Sequence, residues 1–272
     1  MPDGNAAPES FERICWFEDF YFHSVTTAAG PSNIPADLPA WNGTKVAPRV
    51  TGRVFAAADG RRLAGFHIKA SRATRGFVLV THGNAMLAEH IVPSFTALDS
   101  PNFDIILYDD RGYGRSEGKT RFLAMFADAQ RIFAQLMTEI GGDGFAYGLS
   151  QGGIVVSNAL LDGFAGVRGV AIDSAPGDLP WYLCSSGYDP ADRLTRATLQ
   201  GEAVMVISGG QDVVISRDWM RRIIAAGRAK GANILMRDDF PHPFQEISEA
   251  LLMERLGLIW AHFEQRSLGR PR

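Results

Sequence analysis

Residues 145–156 read FAYGLSQGGIVV, in which a lone serine, Ser150, stands between Gly148 and Gly152. An apolar stretch precedes this serine and an amphipathic stretch follows it, which predicts a β-strand that turns directly into an α-helix. So sharp a turn brings backbone close on both sides of the serine, and glycines two positions away avoid a clash there. Gly and Ser also punctuate ordinary turns, so the segment is either a simple turn or the seat of a nucleophile.

Short, continuously apolar stretches recur on both sides of this segment, as is typical of parallel strands buried on both faces. Helical patterns separate most of them, and the clearest covers residues 120–142, where apolar residues recur at spacings of three and four. This alternation predicts an α/β fold, an open and mostly parallel central sheet with helices on both faces and ligand sites at the carboxyl ends of its strands. The strands are expected within residues 76–83, 103–112, 144–148, 167–173, 203–208 and 232–238, and a last helix from about Phe244 to Phe263.

The N-terminal part of the chain follows a different pattern. Residues 50–70 form two alternating stretches joined through Asp59 and Gly60, which predicts an antiparallel hairpin ahead of the parallel strands. Residues 1–48 are irregular but carry too many aromatic side chains for a disordered tail. We therefore expect an N-terminal extension (1–48) packed on a domain formed by residues 49–272, either resting on the sheet or covering a pocket. Its aromatics could equally form a homodimer interface.

The composition and charge of the chain argue against several classes of function. The chain has 272 residues and a formal net charge of -3 without a basic stripe, so nucleic acid is not an expected partner. The acidic N-terminus is unlike a signal peptide and no apolar run is long enough to span a bilayer, so neither export nor membrane insertion is expected. Cys15 and Cys184 lie far apart without metal-ligand spacing, which predicts neither a disulfide framework nor a zinc site and fits a reducing cytoplasm.

A serine nucleophile needs a general base, usually a histidine, which a carboxylate holds in the correct tautomer. Among six histidines, His242 lies on the loop between the last predicted strand and the last predicted helix, at the carboxyl edge of the sheet. Two acids follow strands at the same edge, Asp212 after the penultimate strand and Asp173 after the strand before it. Either acid could reach the histidine from there.

Over roughly residues 50–268 the sequence resembles the α/β-hydrolase superfamily. The segment 148–152 fits G-x-S-x-G in its strand-turn-helix context. VLVTHGNA at 78–85 looks like the oxyanion loop after the third strand. LYDDRGYGRSEG at 107–118 is similar to the loop after the fourth strand in many serine esterases, lysophospholipase-like hydrolases and acyl peptidases.

The resemblance implies a catalytic triad of Ser150, Asp212 and His242, because the superfamily's order of serine, acid and histidine favours Asp212 over its rival. It also implies that the backbone amides of Asn84 and Gln151 hold the oxyanion, and that neither a metal nor an organic cofactor takes part. His242 stands between two prolines, whereas a small residue often precedes the family's histidine.

The expected substrate is a small ester. The segment of about residues 174–201 is a candidate for a short lid, and Trp181 and Tyr182 within it are candidate pocket residues. An apolar acyl pocket would make the chain a carboxylesterase for short or medium acyl groups. A peptidase, amidase or thioesterase of the same fold is the alternative, because a triad does not distinguish the leaving groups. A non-catalytic ligand-binding protein is the alternative from another class.

Overall fold

The computed structural model describes residues 11–177 and 187–268. Nine strands in these ranges form one sheet, and they are β1 (Lys45–Ala47), β2 (Val50–Ala56), β3 (Arg62–Ile68), β4 (Gly76–Thr81), β5 (Phe103–Tyr108), β6 (Asp143–Leu149), β7 (Val167–Asp173), β8 (Val204–Gly209) and β9 (Asn233–Arg237). Their order across the sheet is β1-β2-β3-β5-β4-β6-β7-β8-β9.

The sheet is antiparallel at one end and parallel through the rest. β2 pairs antiparallel with β3, which confirms the predicted hairpin, and β3 also pairs antiparallel with β5. From β5 to β9 every neighbouring pair is parallel. All six predicted parallel strands are present, and β4, β5 and β8 are buried at every position, as their continuously apolar sequences require.

Helices cover both faces of the sheet. They are α1 (Glu18–Ala29), α2 (Leu38–Trp41), α3 (Ala88–Ala97), α4 (Phe122–Glu139), α5 (Gln151–Asp162), α6 (Pro190–Arg196), α7 (Arg217–Lys230) and α8 (Glu249–Leu268). Two hydrophobic clusters result: α1, α4, α5, α6 and α7 contribute to the cluster on one face, and α2, α3 and α8 to the cluster on the other. The structure thus has the predicted layered α/β architecture.

The predicted start of the last helix is wrong. The helix begins at Glu249 rather than at about Phe244, whose φ of 64° lies in the left-handed region that a right-handed helix cannot use. The N–H of Gln245 donates to the carbonyl of His242, which closes a turn there, and the Ser248 hydroxyl accepts from Leu251 N–H at the true helix start. An apolar periodicity cannot locate such a cap.

Cys15 is disulfide-bonded, which the spacing of the two cysteines did not predict. Disulfides are rare in a reducing cytoplasm, so this finding removes the argument that cysteine usage gave for that location. None of the helices in the described ranges has the length and apolar character that a bilayer span requires.

Candidate active site

Ser150 lies at the tight turn between β6 and α5. Its φ of 52° and ψ of -121° are strained for a residue with a side chain. The two flanking glycines make this turn possible, because a Cβ on Gly148 would lie 2.3 Å from the carbonyl oxygen of Gly152, and one on Gly152 would lie 2.1 Å from that of Thr81. The Ser150 N–H donates to the carbonyl of Asp173 at 2.8 Å, which fixes the turn against β7.

His242 and Asp212 form a hydrogen-bonded pair at the same edge of the sheet, with Nδ1 of the histidine 2.9 Å from Oδ2 of the acid. The other carboxylate oxygen of Asp212 accepts from the N–H groups of Val214 and Ile215 at 2.9 and 3.0 Å. Burial alone would raise the pKa of Asp212, but the hydrogen bonds from His242 and these backbone donors outweigh it and lower the pKa. Asp212 is therefore ionised and accepts a hydrogen bond from Nδ1 of His242, which orients the ring. The second ring nitrogen, Nε2, is not used in this pair.

Asp173, the rival acid, has other partners. Its Oδ2 accepts from the Tyr147 hydroxyl at 3.0 Å and lies 3.8 Å from Nε of Arg255, and both of these side chains are buried. Although the acid follows β7 at the predicted edge, the structure pairs His242 with Asp212 instead. The position of an acid after a strand predicts the edge of the sheet on which the acid lies, but it does not predict the acid's hydrogen-bond partner.

A cavity of about 380 Å³ brings the predicted residues together, since Ser150, His242, Asn84 and Gln151 all line it. Gln151 is the first residue of α5, so its N–H has no acceptor within the helix. Asn84 lies on the loop after β4, and no hydrogen bond between described residues uses its N–H. Two free amides beside a serine, one of them at a helix N-terminus, suit a developing oxyanion.

His82 is buried at the start of the loop after β4, where its hydrogen bonds give it a structural role. Burial lowers the pKa of His82 to about 4, so the ring is neutral at physiological pH. Its Nδ1–H donates to the carbonyl of Gly83 at 2.7 Å and its Nε2 accepts from the N–H of Asp110 at 3.4 Å. The ring thereby connects the loop after β4 to the loop after β5.

One contributor to the cavity was missed by the sequence reasoning. Tyr21 of α1 lines the cavity, and its hydroxyl contacts the side chains of both Gln151 and Asn84. The aromatic content of the extension indicated packing, but nothing in the sequence identified which hydroxyl would reach the site. Trp181 and Tyr182, the predicted pocket residues, lie outside the described residues, and the aromatic side chains that line the cavity are Tyr21, Trp219 and Phe244.

Comparisons with known proteins agree with this geometry. A family model described as serine aminopeptidase, S33, matches residues 72–201. The chain is 24% identical to the uncharacterized protein YfhR of Escherichia coli K12 over 204 residues, which cover 68% of this chain and 70% of that protein.

Two solved structures share the fold. An alpha-beta hydrolase from Vibrio vulnificus superposes with a TM-score of 0.66 at 16% identity, covering 96% of this chain and 98% of that one. A thermostable carboxyl esterase from Bacillus coagulans superposes with a TM-score of 0.65 at 11% identity, covering 82% of this chain and 100% of that one. Together with the family match, they show that the chain has the α/β-hydrolase fold.

Proposed function

We propose that this chain is a serine hydrolase that cleaves carboxylic esters with short or medium acyl groups. The observation that carries the proposal is the pairing of His242 with Asp212 in a site whose cavity also contains Ser150 on its strained turn. Each residue type matches one role of a nucleophile, a base and an orienting acid.

The proposed reaction is acyl transfer to water. His242 accepts the Ser150 proton through Nε2 as the hydroxyl attacks the ester carbonyl, while the carboxylate of Asp212 stabilises the imidazolium that forms. The N–H groups of Asn84 and Gln151 hold the tetrahedral oxyanion. His242 then protonates the departing alkoxide. In the second half of the reaction His242 accepts a proton from water as the water attacks the acyl-enzyme, and it returns that proton to Ser150 as the carboxylic acid leaves.

The character of the cavity supports a neutral, apolar acyl group. Its wall includes Met86, Ile154, Ile215, Trp219 and Phe244, and no Asp, Glu, Lys or Arg of the described residues lines it. A peptidase that selects a free amino terminus would need an acidic group to accept the ammonium, since a buried unpaired charge is costly. This argument favours an ester over an aminoacyl substrate.

Covalent labelling with a fluorophosphonate tests the nucleophile. We expect an adduct on Ser150 by mass spectrometry, its loss in Ser150→Ala, and turnover lower by about 10⁴-fold in Asp212→Asn, because the histidine loses its orienting carboxylate. Ser157→Ala is the matched control, since that residue lies farther along α5, does not line the cavity, and donates its hydroxyl proton to the carbonyl of Ile154. Unchanged hydrolysis by Ser150→Ala would overturn the proposal.

The second candidate is a peptidase, favoured by the description of the matching family model. Comparing p-nitrophenyl esters of graded acyl length with aminoacyl p-nitroanilides separates the two. We expect the highest kcat/KM with short or medium acyl esters. A higher kcat/KM for substrates with a free amine would assign the peptidase. Folded protein that neither labels nor turns over any substrate would assign a binding role.

A further inference from the structure

The N-terminal helix α1 contributes a buried hydroxyl group to the candidate active site. Tyr21 is 8% exposed, and its hydroxyl lies 2.8 Å from Oε1 of Gln151 and 3.0 Å from Nδ2 of Asn84. The two partners are the residues whose backbone amides are proposed to hold the oxyanion. A single side chain therefore connects both halves of that site.

The direction of each hydrogen bond follows from the chemistry of the groups. The amide Nδ2 of Asn84 can only donate, so the tyrosine oxygen accepts from it and gives its one proton to Oε1 of Gln151. Burial raises the pKa of Tyr21 to about 12, and the hydrogen bond from Asn84 offsets part of that effect. The phenol thus keeps its proton, and that proton is already used by a protein acceptor.

Both partners adjoin strained backbone. Gln151 follows Ser150, whose φ is 52°, and Asn84 precedes Ala85, whose φ is 51°. Residues held in the left-handed region persist only where their surroundings over-determine them. A bridge between the two side chains is such a constraint, because it fixes the loop after β4 relative to the first turn of α5.

Helix α1 is itself firmly docked. The buried carboxylate of Glu18 accepts from the N–H of Phe122 at 2.7 Å, at the start of α4. The ring of Phe22 packs against the ring of Phe122 with centroids 4.7 Å apart. The position of the Tyr21 hydroxyl is therefore set by the docking of α1 on α4.

We propose that Tyr21 is a positioning residue for the oxyanion hole, one that holds the amides of Asn84 and Gln151 at the separation that the transition state requires. The inference rests on the proposed hydrolase function. Because the hydroxyl acts through the two amides and touches no reacting atom, its effect belongs to the transition state rather than to substrate binding.

The test compares Tyr21→Phe, which keeps the ring and removes the hydroxyl, with wild-type protein on a butyrate ester. We expect kcat to fall about tenfold with little change in KM, less than the roughly 10²–10³-fold loss on removing a donor itself. The affinity of an alkyl boronic acid should fall by the same factor, because its serine adduct places an oxygen in the oxyanion hole. Ser24→Ala, which removes an exposed hydroxyl that donates to the carbonyl of Phe20 within α1, should leave every value unchanged.

A double-mutant cycle with Asn84→Ala, which keeps the backbone amide but removes the side-chain partner, provides the second test. If the hydroxyl acts through the bridge, Tyr21→Phe should cost much less than tenfold in the Asn84→Ala background. Equal kcat and equal boronate affinity in wild type and Tyr21→Phe would overturn the positioning role and leave the hydrolase intact. A loss expressed only in KM would do the same, whereas wild-type protein without Ser150-dependent turnover would overturn both proposals.

Discussion

At the scale of single residues, the turn at Ser150 depends on the absence of side chains from two neighbouring residues. Ser150 can adopt its strained backbone because Gly148 has no Cβ that would meet the carbonyl oxygen of Gly152, and Gly152 has none that would meet that of Thr81. Not every glycine of the described residues has such a role. Gly257, on α8, has no heavy atom within 4 Å of where its Cβ would be.

This difference gives a prediction for two alanine substitutions. Gly152→Ala should lower the free energy of unfolding by about 1–3 kcal/mol or more and abolish turnover, because the new Cβ meets the Thr81 carbonyl oxygen and the backbone must shift. Gly257→Ala should raise stability by about 0.5–1 kcal/mol, since alanine is the better helix former. Urea unfolding and ester turnover check both. Equal stability of the two variants would contradict the steric argument.

Residue-level sequence reasoning reaches only part of the site. The sequence allowed three candidate site residues to be selected, because each follows a recognisable strand and parallel strands end at one edge of a sheet. They are Ser150, Asp212 and His242. Tyr21 could not be selected, because its position depends on how a helix docks on α4 and α5. Asp173 illustrates the same limit, since it lies at the correct edge but is paired with Tyr147 and Arg255.

At the scale of elements, the strands were predictable and the helix ends were not. A strand buried on both faces needs an unbroken apolar stretch, and few other structures produce one of that length. Helix ends depend instead on caps and local backbone, as the start of α8 illustrates. The N-terminal α1 is fixed by contacts distant in sequence, such as the hydrogen bond that the N–H of Phe122 donates to the carboxylate of Glu18.

We predict that Glu18→Ala lowers the free energy of unfolding by about 1–3 kcal/mol, because it leaves the buried N–H of Phe122 without its acceptor. The exposed Glu12, a few residues earlier, is the control, and Glu12→Ala should change stability by less than about 0.5 kcal/mol. Thermal and denaturant unfolding measure both effects. If the two variants are equally stable, the carboxylate of Glu18 does not anchor the helix.

At the scale of the whole molecule, the sheet buries ionisable groups that couple its stability to pH. Asp109, directly after β5, is fully buried, and burial raises its pKa to about 7 despite a hydrogen bond from the N–H of Ala88. The unfolded chain would titrate this carboxyl near 3.8. Between these values the folded state holds a proton that the unfolded state has lost, so stability from this group falls as pH rises.

Asp109→Asn should therefore gain stability relative to wild type as pH increases from about 4 to about 7, and the gain should level off above that range. The asparagine oxygen can still accept from Ala88, so the hydrogen bond is retained. Both proteins contain His82, whose lowered pKa acts in the opposite direction, but its Nε2 lies 3.9 Å from Oδ1 of Asp109, so the measured difference includes the interaction between the two groups. Denaturant unfolding at several pH values measures the effect. A stability difference independent of pH would contradict it.

The bridge from Tyr21 to Gln151 joins residues 130 positions apart in the sequence. The entropic cost of closing a loop rises with its length, and contacts within α4, α5 and the adjoining strands involve far shorter loops. During synthesis α1 is made before the helices on which it docks, so its contacts with α4 and α5 can form only after both of those helices have been made. The wall of the candidate cavity that Tyr21 forms therefore depends on a contact between distant parts of the chain.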